Sequence, residues 1–285
     1  MFERCLVAAD LSPATTGLLE AAGGLQELGA RELILIHVVK PLDPSGRESM
    51  ALQERAAQLL EDQAEDLRAR GLSVTVEIAV GSPSAQVIAH ARKLDPSLIL
   101  MGTRSRSAIR EAFVGSTTWE VLRRARRPVL IYRLEPGDET ESLEIGTVGR
   151  PTRVLHPTDF SDTAARALPW LRALAEAGVP SFTLLHTLPS KDPEGEEAAG
   201  ARLRELADEL QEVGAREVET TIRVGMPGPE IVKASGTDLD TLTVLGSHGH
   251  GFLPELVLGS ASRHVIRHSK GPVLVVPAPD KEKTA

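Results

Sequence analysis

The sequence predicts two tandem α/β sandwich domains, each a five-stranded, mainly parallel sheet with helices on both faces. Three observations carry that reading. The chain has 285 residues, about twice an average domain. It also repeats itself. Leu6-Val7-Ala8-Ala9-Asp10-Leu11-Ser12 resembles Leu155-His156-Pro157-Thr158-Asp159-Phe160-Ser161, and Leu35–Val38 resembles Leu184–Thr187, both offset by 149 positions. From Val80-Gly81-Ser82-Pro83 and Val224-Gly225-Met226-Pro227 onward the offset is 144. That value also relates Gly102 to Gly246, Gly115-Ser116 to Gly259-Ser260, and Pro128-Val129-Leu130 to Pro272-Val273-Leu274. One five-residue difference between His37 and Gly81 reconciles the two, so a single ancestral domain is used twice. The third observation is the alternation of short apolar runs with helical patterns inside each copy, the signature of parallel sheets covered on both faces.

Taken in order, the runs Cys5–Ala9, Leu33–Val39, Val74–Val80, Leu98–Met101 and Val129–Tyr132 read as buried strands of the first copy. Between them Pro13–Leu28, Glu48–Arg70, Ser84–Lys93 and Ser116–Ala125 read as helices. Pro13 suits a first helical turn after Ser12, and Gly71 suits a helix stop. The second copy repeats the strands near Val154–His156, Phe182–Thr187, Glu219–Val224, Leu242–Leu245 and Val273–Val276. A Pro-, Gly- and acid-rich stretch separates the copies. The expected domains are therefore 1–137 and 151–279, with a linker at 138–150 and a tail at 280–285. Ligands of such sheets sit beyond the carboxyl ends of the strands, which places Asp10 or Asp159 and the glycines after strand four at one mouth.

Composition narrows the function. The formal net charge is −8, and split at residue 140 the copies carry −2 and −6, so neither is a basic nucleic-acid-binding domain. Aromatics at 3% are too few for a stacking platform along a single strand. Cys5 is the only cysteine, which excludes an intrachain disulfide and a cysteine-based zinc cluster. No signal peptide or membrane span is read, and the expectation is a cytoplasmic protein without membrane or nucleic-acid partners. The arginines 123, 124, 126 and 127 complement a helix C-terminus.

Chemistry concentrates in Leu245-Gly246-Ser247-His248-Gly249-His250-Gly251 and Leu258-Gly259-Ser260-Ala261-Ser262, a G-x2-G-x9-G-[ST] skeleton between a strand and a helix. Gly246 and Gly249 would let the backbone turn and approach a ligand, and Gly259-Ser260 would offer phosphate oxygens the free N–H groups of a helix start. No G-x4-G-K-[ST] loop, G-x-G-x-x-G fingerprint or G-x-S-x-G elbow occurs. His264 and His268, four apart, lack a third partner for a metal.

On these motifs the chain resembles a tandem universal stress protein, over both copies. The second copy is similar to the ATP-binding subgroup through His156–Ser161, Leu185-His186-Thr187, the glycine skeleton and Gly271–Val276. The resemblance implies an adenine nucleotide alpha hydrolase-like fold. It also implies that Asp159 lies at the ribose and adenine end, that Thr187 meets adenine through its main chain, and that Leu245 and Gly246 border the nucleoside. His248 and Gly249 would wrap the phosphates, and Gly259, Ser260 and Ala261 would hold them, with any Mg²⁺ riding on the phosphates. It implies binding with at most slow ATP turnover, read out by an unknown protein partner.

The first copy keeps Asp10, Val38, Gly102, Gly115 and Ser116 as weaker candidates. Ser105 replaces the second glycine, and Arg104, Arg106 and Arg110 crowd the same loop, so the copy is expected to be largely a scaffold. In the family last strands pair across a dimer. Here Val129–Tyr132 and Val273–Val276 could pair as an intramolecular pseudo-dimer, and a further homodimer stays open. The alternative function is a non-catalytic adaptor, or a binder of a different small ligand, with vestigial nucleotide sites.

Overall fold

Valine-, isoleucine- and leucine-rich runs bounded by turns become strands buried on both faces, and the segments between them become helices that cover those faces. The computed structural model describes residues 1–41, 47–104, 114–134, 149–249 and 258–278. The chain divides into two units, Met1–Gly149 and Arg150–Ala285. The expected linker up to residue 148, the tail at 280–285, Ser105, Arg106, Arg110, His250 and Gly251 lie outside the described residues, as does the side chain of Arg104.

The first unit runs β1 (Arg4–Ala8), α1 (Ala14–Gly24), β2 (Glu32–Val39), α2 (Arg47–Ala69), β3 (Ser73–Val80), α3 (Pro83–Leu94), β4 (Leu98–Arg104), α4 (Ser116–Arg124) and β5 (Val129–Leu134). Its strands pair in the order β3-β2-β1-β4-β5, all parallel. The second unit runs β6 (Arg153–Pro157), α5 (Asp162–Ala165), α6 (Leu168–Glu176), β7 (Ser181–Leu188), α7 (Pro193–Glu212), β8 (Glu217–Val224), α8 (Pro227–Ser235), β9 (Thr241–Gly246), α9 (Ser260–His268) and β10 (Val273–Val276). Its order is β8-β7-β6-β9-β10, again parallel throughout. The fold class read from the sequence is thus the one observed. In each unit the first strand is central, and the chain winds away from it on one side and returns on the other. That reversal opens a crevice at the carboxyl ends of β1 and β4, and of β6 and β9.

Local chemistry explains most boundaries. Gly71 ends α2 in the left-handed region at φ +90°. The expected helix 13–28 divides: α1 stops at Gly24 and a 3₁₀ turn over Leu25–Leu28 follows, ending at Gly29 with φ +95°. Ser12 gives α1 no side-chain cap. Its second-copy counterpart Ser161 does cap α5, accepting a bond from the Ala164 amide at 3.2 Å. Cys5 is fully buried on β1 and donates its thiol to the Phe2 carbonyl at 3.0 Å. Burial pushes its pKa up to about 12, so this thiol is unreactive in the folded chain.

Candidate functional site

The loop after β6 is fixed before any ligand is considered. The Thr158 amide donates to the Leu185 carbonyl at 2.8 Å, and the His186 ring donates from Nδ1 to the Thr158 carbonyl at 2.8 Å. Asp159 then accepts the Ser161 amide on Oδ1 at 3.0 Å, and Phe160 is forced into the left-handed region at φ +61°. The first unit repeats this construction. His37 Nδ1 donates to the Ala9 carbonyl at 2.9 Å, Asp10 Oδ1 accepts the Ser12 amide at 3.0 Å, and Leu11 has φ +56°. A bulky residue with positive φ is uncommon and strained, and here it recurs at the same position in both copies. Each Asp lines the crevice of its unit.

In the second unit the crevice is a cavity of about 490 Å³. All nine residues selected from the motif line it: Asp159, Thr187, Leu245, Gly246, His248, Gly249, Gly259, Ser260 and Ala261. Its floor is the carboxyl ends of β6, β7 and β9, and its rim is the start of α9. The Ser262 hydroxyl, buried beneath that helix, donates to the Gly246 carbonyl at 2.9 Å and ties α9 to β9. The Gly259 amide donates to the Ser247 carbonyl at 2.8 Å, and the Ala278 amide donates to the Ser247 hydroxyl at 3.0 Å.

The glycines are required by proximity and not by backbone conformation, because neither Gly246 nor Gly249 has a positive φ. A Cβ at 246 would meet the Thr163 carbonyl at 3.0 Å, and a Cβ at 249 would collide with the Asp159 carboxylate. Gly259 differs. A Cβ there would find nothing closer than 3.5 Å, with φ −61° and ψ 155° that any residue adopts. A side chain at 259 would therefore fit in ordinary contact with its neighbours, so the fold itself does not call for glycine at the amino end of α9, where N–H groups favour anions.

Several contributors were not foreseen. Arg263 lines the cavity one turn into α9 and supplies the cation that the glycine skeleton lacks. Ile231 and Pro227 from α8 provide an apolar wall. In sequence Arg263 looks like one more solvated helix charge, and only its spacing of three from Ser260 points into the cleft. His156, directly before this loop, is buried, and its Nδ1 donates to the Val244 carbonyl at 2.8 Å. Its Nε2 has no hydrogen-bond partner, and burial lowers its pKa against the opposing pulls of the Val244 carbonyl and, to a smaller extent, Asp159.

The first unit holds a larger cavity, about 780 Å³. Asp10, Val38, Gly102 and Gly115 line it, whereas Ser116 is not among its lining residues. His264 and His268 stack with ring centroids 4.2 Å apart, and among the described residues no group of three His, Cys, Asp or Glu could hold a metal ion. No helix among them is long and apolar enough to cross a membrane.

Comparison with known proteins agrees with the duplication. Residues 1–133 and 151–277 each match the universal stress protein family. The universal stress protein MJ0577 of Methanocaldococcus jannaschii is 32% identical over 152 residues, covering 44% of this chain and 93% of that protein. The universal stress protein Rv1996 of Mycobacterium tuberculosis is 28% identical over 220 residues, covering 74% of this chain and 67% of that protein. The crystal structure of a universal stress protein from Archaeoglobus fulgidus matches 97% of this chain and 99% of its own, with a TM-score of 0.78 and 26% identity.

Proposed function

The chain belongs to the universal stress protein family, and from that premise we propose that its second unit is an ATP-binding module of a cytoplasmic stress-response protein. The observation that carries the reading is the convergence of the nine residues on one cavity, lined also by Arg263, with Gly259 at the start of α9, where the fold itself makes no demand for glycine.

In this reading Asp159, already held by the Ser161 amide, takes the ribose and adenine end. Thr187 meets the base through its main chain, with Ile231 against the base's face. His248 and Gly249 turn around the phosphates. Gly259, Ser260 and Ala261 present the helix start to them, and Arg263 neutralises part of their charge. A divalent ion rides on the phosphates themselves. In this reading the nucleotide is held, with at most slow turnover. Asp159 is engaged with backbone, and Ser260 opens a helix instead of facing a base. Occupancy fixes the surface around α9, and a partner that distinguishes the filled from the empty surface reads it.

The test is mass spectrometry of nucleotide retained on purification, followed by calorimetric titration with ATP. One ATP per chain is expected. Protein that carries no nucleotide and gives no heat with ATP would refute the reading in favour of an adaptor with vestigial sites.

A further inference from the structure

The first cleft differs from the second in what α2 brings to it. Leu52, Arg55, Ala56 and Leu59 border the first cavity, whereas no residue of α7 borders the second among the described residues. Positions 52, 55, 56 and 59 follow the i, i+3, i+4, i+7 pattern of one helix face. The adjoining stripe Ala56, Leu60, Ala64 and Leu67 is buried. The apolar face of α2 is thus wider than the sheet covers, and Leu52 and Leu59 remain 39% and 46% exposed.

The second copy shows what stands at the corresponding positions. Aligning the buried stripe of α2 with Ala199, Leu203, Ala207 and Leu210 of α7 sets Gly195, Ala198 and Arg202 opposite Leu52, Arg55 and Leu59. In the second unit the Arg202 guanidinium lies 4.1 Å over the Phe160 ring, and Phe160 stacks on His186 at 4.8 Å. Leu11 is the first-unit counterpart of Phe160, and it lines the first cavity. A cation–aromatic stack has been exchanged for three leucines, and the cavity is larger, about 780 Å³ against about 490 Å³.

The cations have moved as well. Trp119 stands where the second unit has Arg263, so the first cleft lacks that arginine beside its helix start. Among the described residues it is lined by Lys40 and Arg55 instead, and neither of them pairs with a carboxylate among those residues. Both are exposed, at the rim beside the leucines. Apolar wall within and unpaired cations at its edge are the complement of a molecule with a hydrocarbon chain and one anionic end.

We propose that the first cleft is a second binding site, specific for an anionic amphiphile. Its chain lies against Leu11, Leu52 and Leu59, and its carboxylate or phosphate head is held by Arg55 and Lys40. The proposal does not depend on the nucleotide reading of the second unit.

The full chain is titrated calorimetrically with laurate and with dodecyl phosphate, each below its micelle-forming concentration. Saturable binding at one site per chain is expected from at least one of them, and the tighter one identifies the head group. Leu59→Glu weakens it about tenfold or more, and Arg55→Gln several-fold. Leu59 is already half exposed, so the variant folds, and Leu52→Glu gives an independent check. Gly249→Val leaves amphiphile binding unchanged, and Leu59→Glu leaves ATP binding unchanged, which separates failure of one site from failure of the other. No saturable binding of either amphiphile overturns the proposal, as does binding that Leu59→Glu and Leu52→Glu do not move, or a second ATP per chain that displaces the amphiphile.

Discussion

Asp159 reaches across the second cleft into the space that a side chain at residue 249 would occupy: a Cβ on Gly249 would overlap its Oδ2. The acid and the glycine come from loops 90 positions apart, yet each fixes what the other can be. Gly249→Val therefore cannot leave Asp159 in place. We expect ATP affinity to fall about 100-fold or more, with the circular dichroism spectrum unchanged because residue 249 lies in a loop at the rim. Calorimetry showing undiminished affinity in that variant would remove Gly249 from the cradle.

Gly259 separates the demands of folding from those of binding. Its φ and ψ are ordinary and a Cβ there meets nothing closer than 3.5 Å. Gly259→Ala gains backbone entropy on one side of the balance and weakens a helix N-cap on the other, so stability should change by less than about 1 kcal/mol. ATP affinity should fall about tenfold or more, since the new methyl group enters the space assigned to phosphate. A thermal melt and a titration on the same sample test both halves, and unaltered affinity would show that phosphate does not approach residue 259.

Arg263 gives a charge test. Arg263→Gln should weaken ATP by roughly tenfold, in line with loss of a charge-assisted hydrogen bond, and should leave adenosine binding unaffected. The loss should shrink as salt is raised. Equal losses for ATP and adenosine would mean that the residue supports the fold of α9 instead of meeting phosphate.

The duplicated register made the parallel α/β class and the mouth of the cleft legible, because strands buried on both faces leave unbroken apolar runs and Asp10 and Asp159 end the first of them, whereas the order of the strands was not legible. In the second cleft the glycine skeleton, Ser260 and the place of Asp159 at the sheet edge were legible in the spacing, whereas Thr187, Leu245, His248 and Ala261 came only through the resemblance. What stayed hidden depends on packing between distant segments. Leu52 and Leu59 sit among charges in α2, and nothing local tells a wall residue from a surface leucine. Leu11 and Phe160 carry no sign of their left-handed backbone, which the Asp side-chain bonds to residues 12 and 161 impose. The role of Gly249 was half legible: proximity was evident, but the neighbour is Asp159 and not the ligand alone.

His156 adds a pH dependence that the first unit lacks, since its counterpart there is Val7. The ring is buried, Nδ1 is committed to the Val244 carbonyl, and Nε2 has no partner to share an added proton. Burial therefore lowers its folded pKa below the ordinary 6.5, with the Val244 carbonyl and Asp159 only partly opposing the shift. A histidine with a lowered folded pKa takes up protons on unfolding, so the unfolded chain holds more protons in the window just below 6.5 and stability falls as pH drops through it. Above that window both states are neutral and the effect vanishes. Following Trp170, which is buried in the second unit, in a Trp119→Phe background isolates this unit's melting. The transition should drop between pH 7 and pH 5, and His156→Val, which installs the first-unit residue, should flatten that drop. An equal drop in the variant would assign the acid sensitivity to other groups and leave His156 as packing alone.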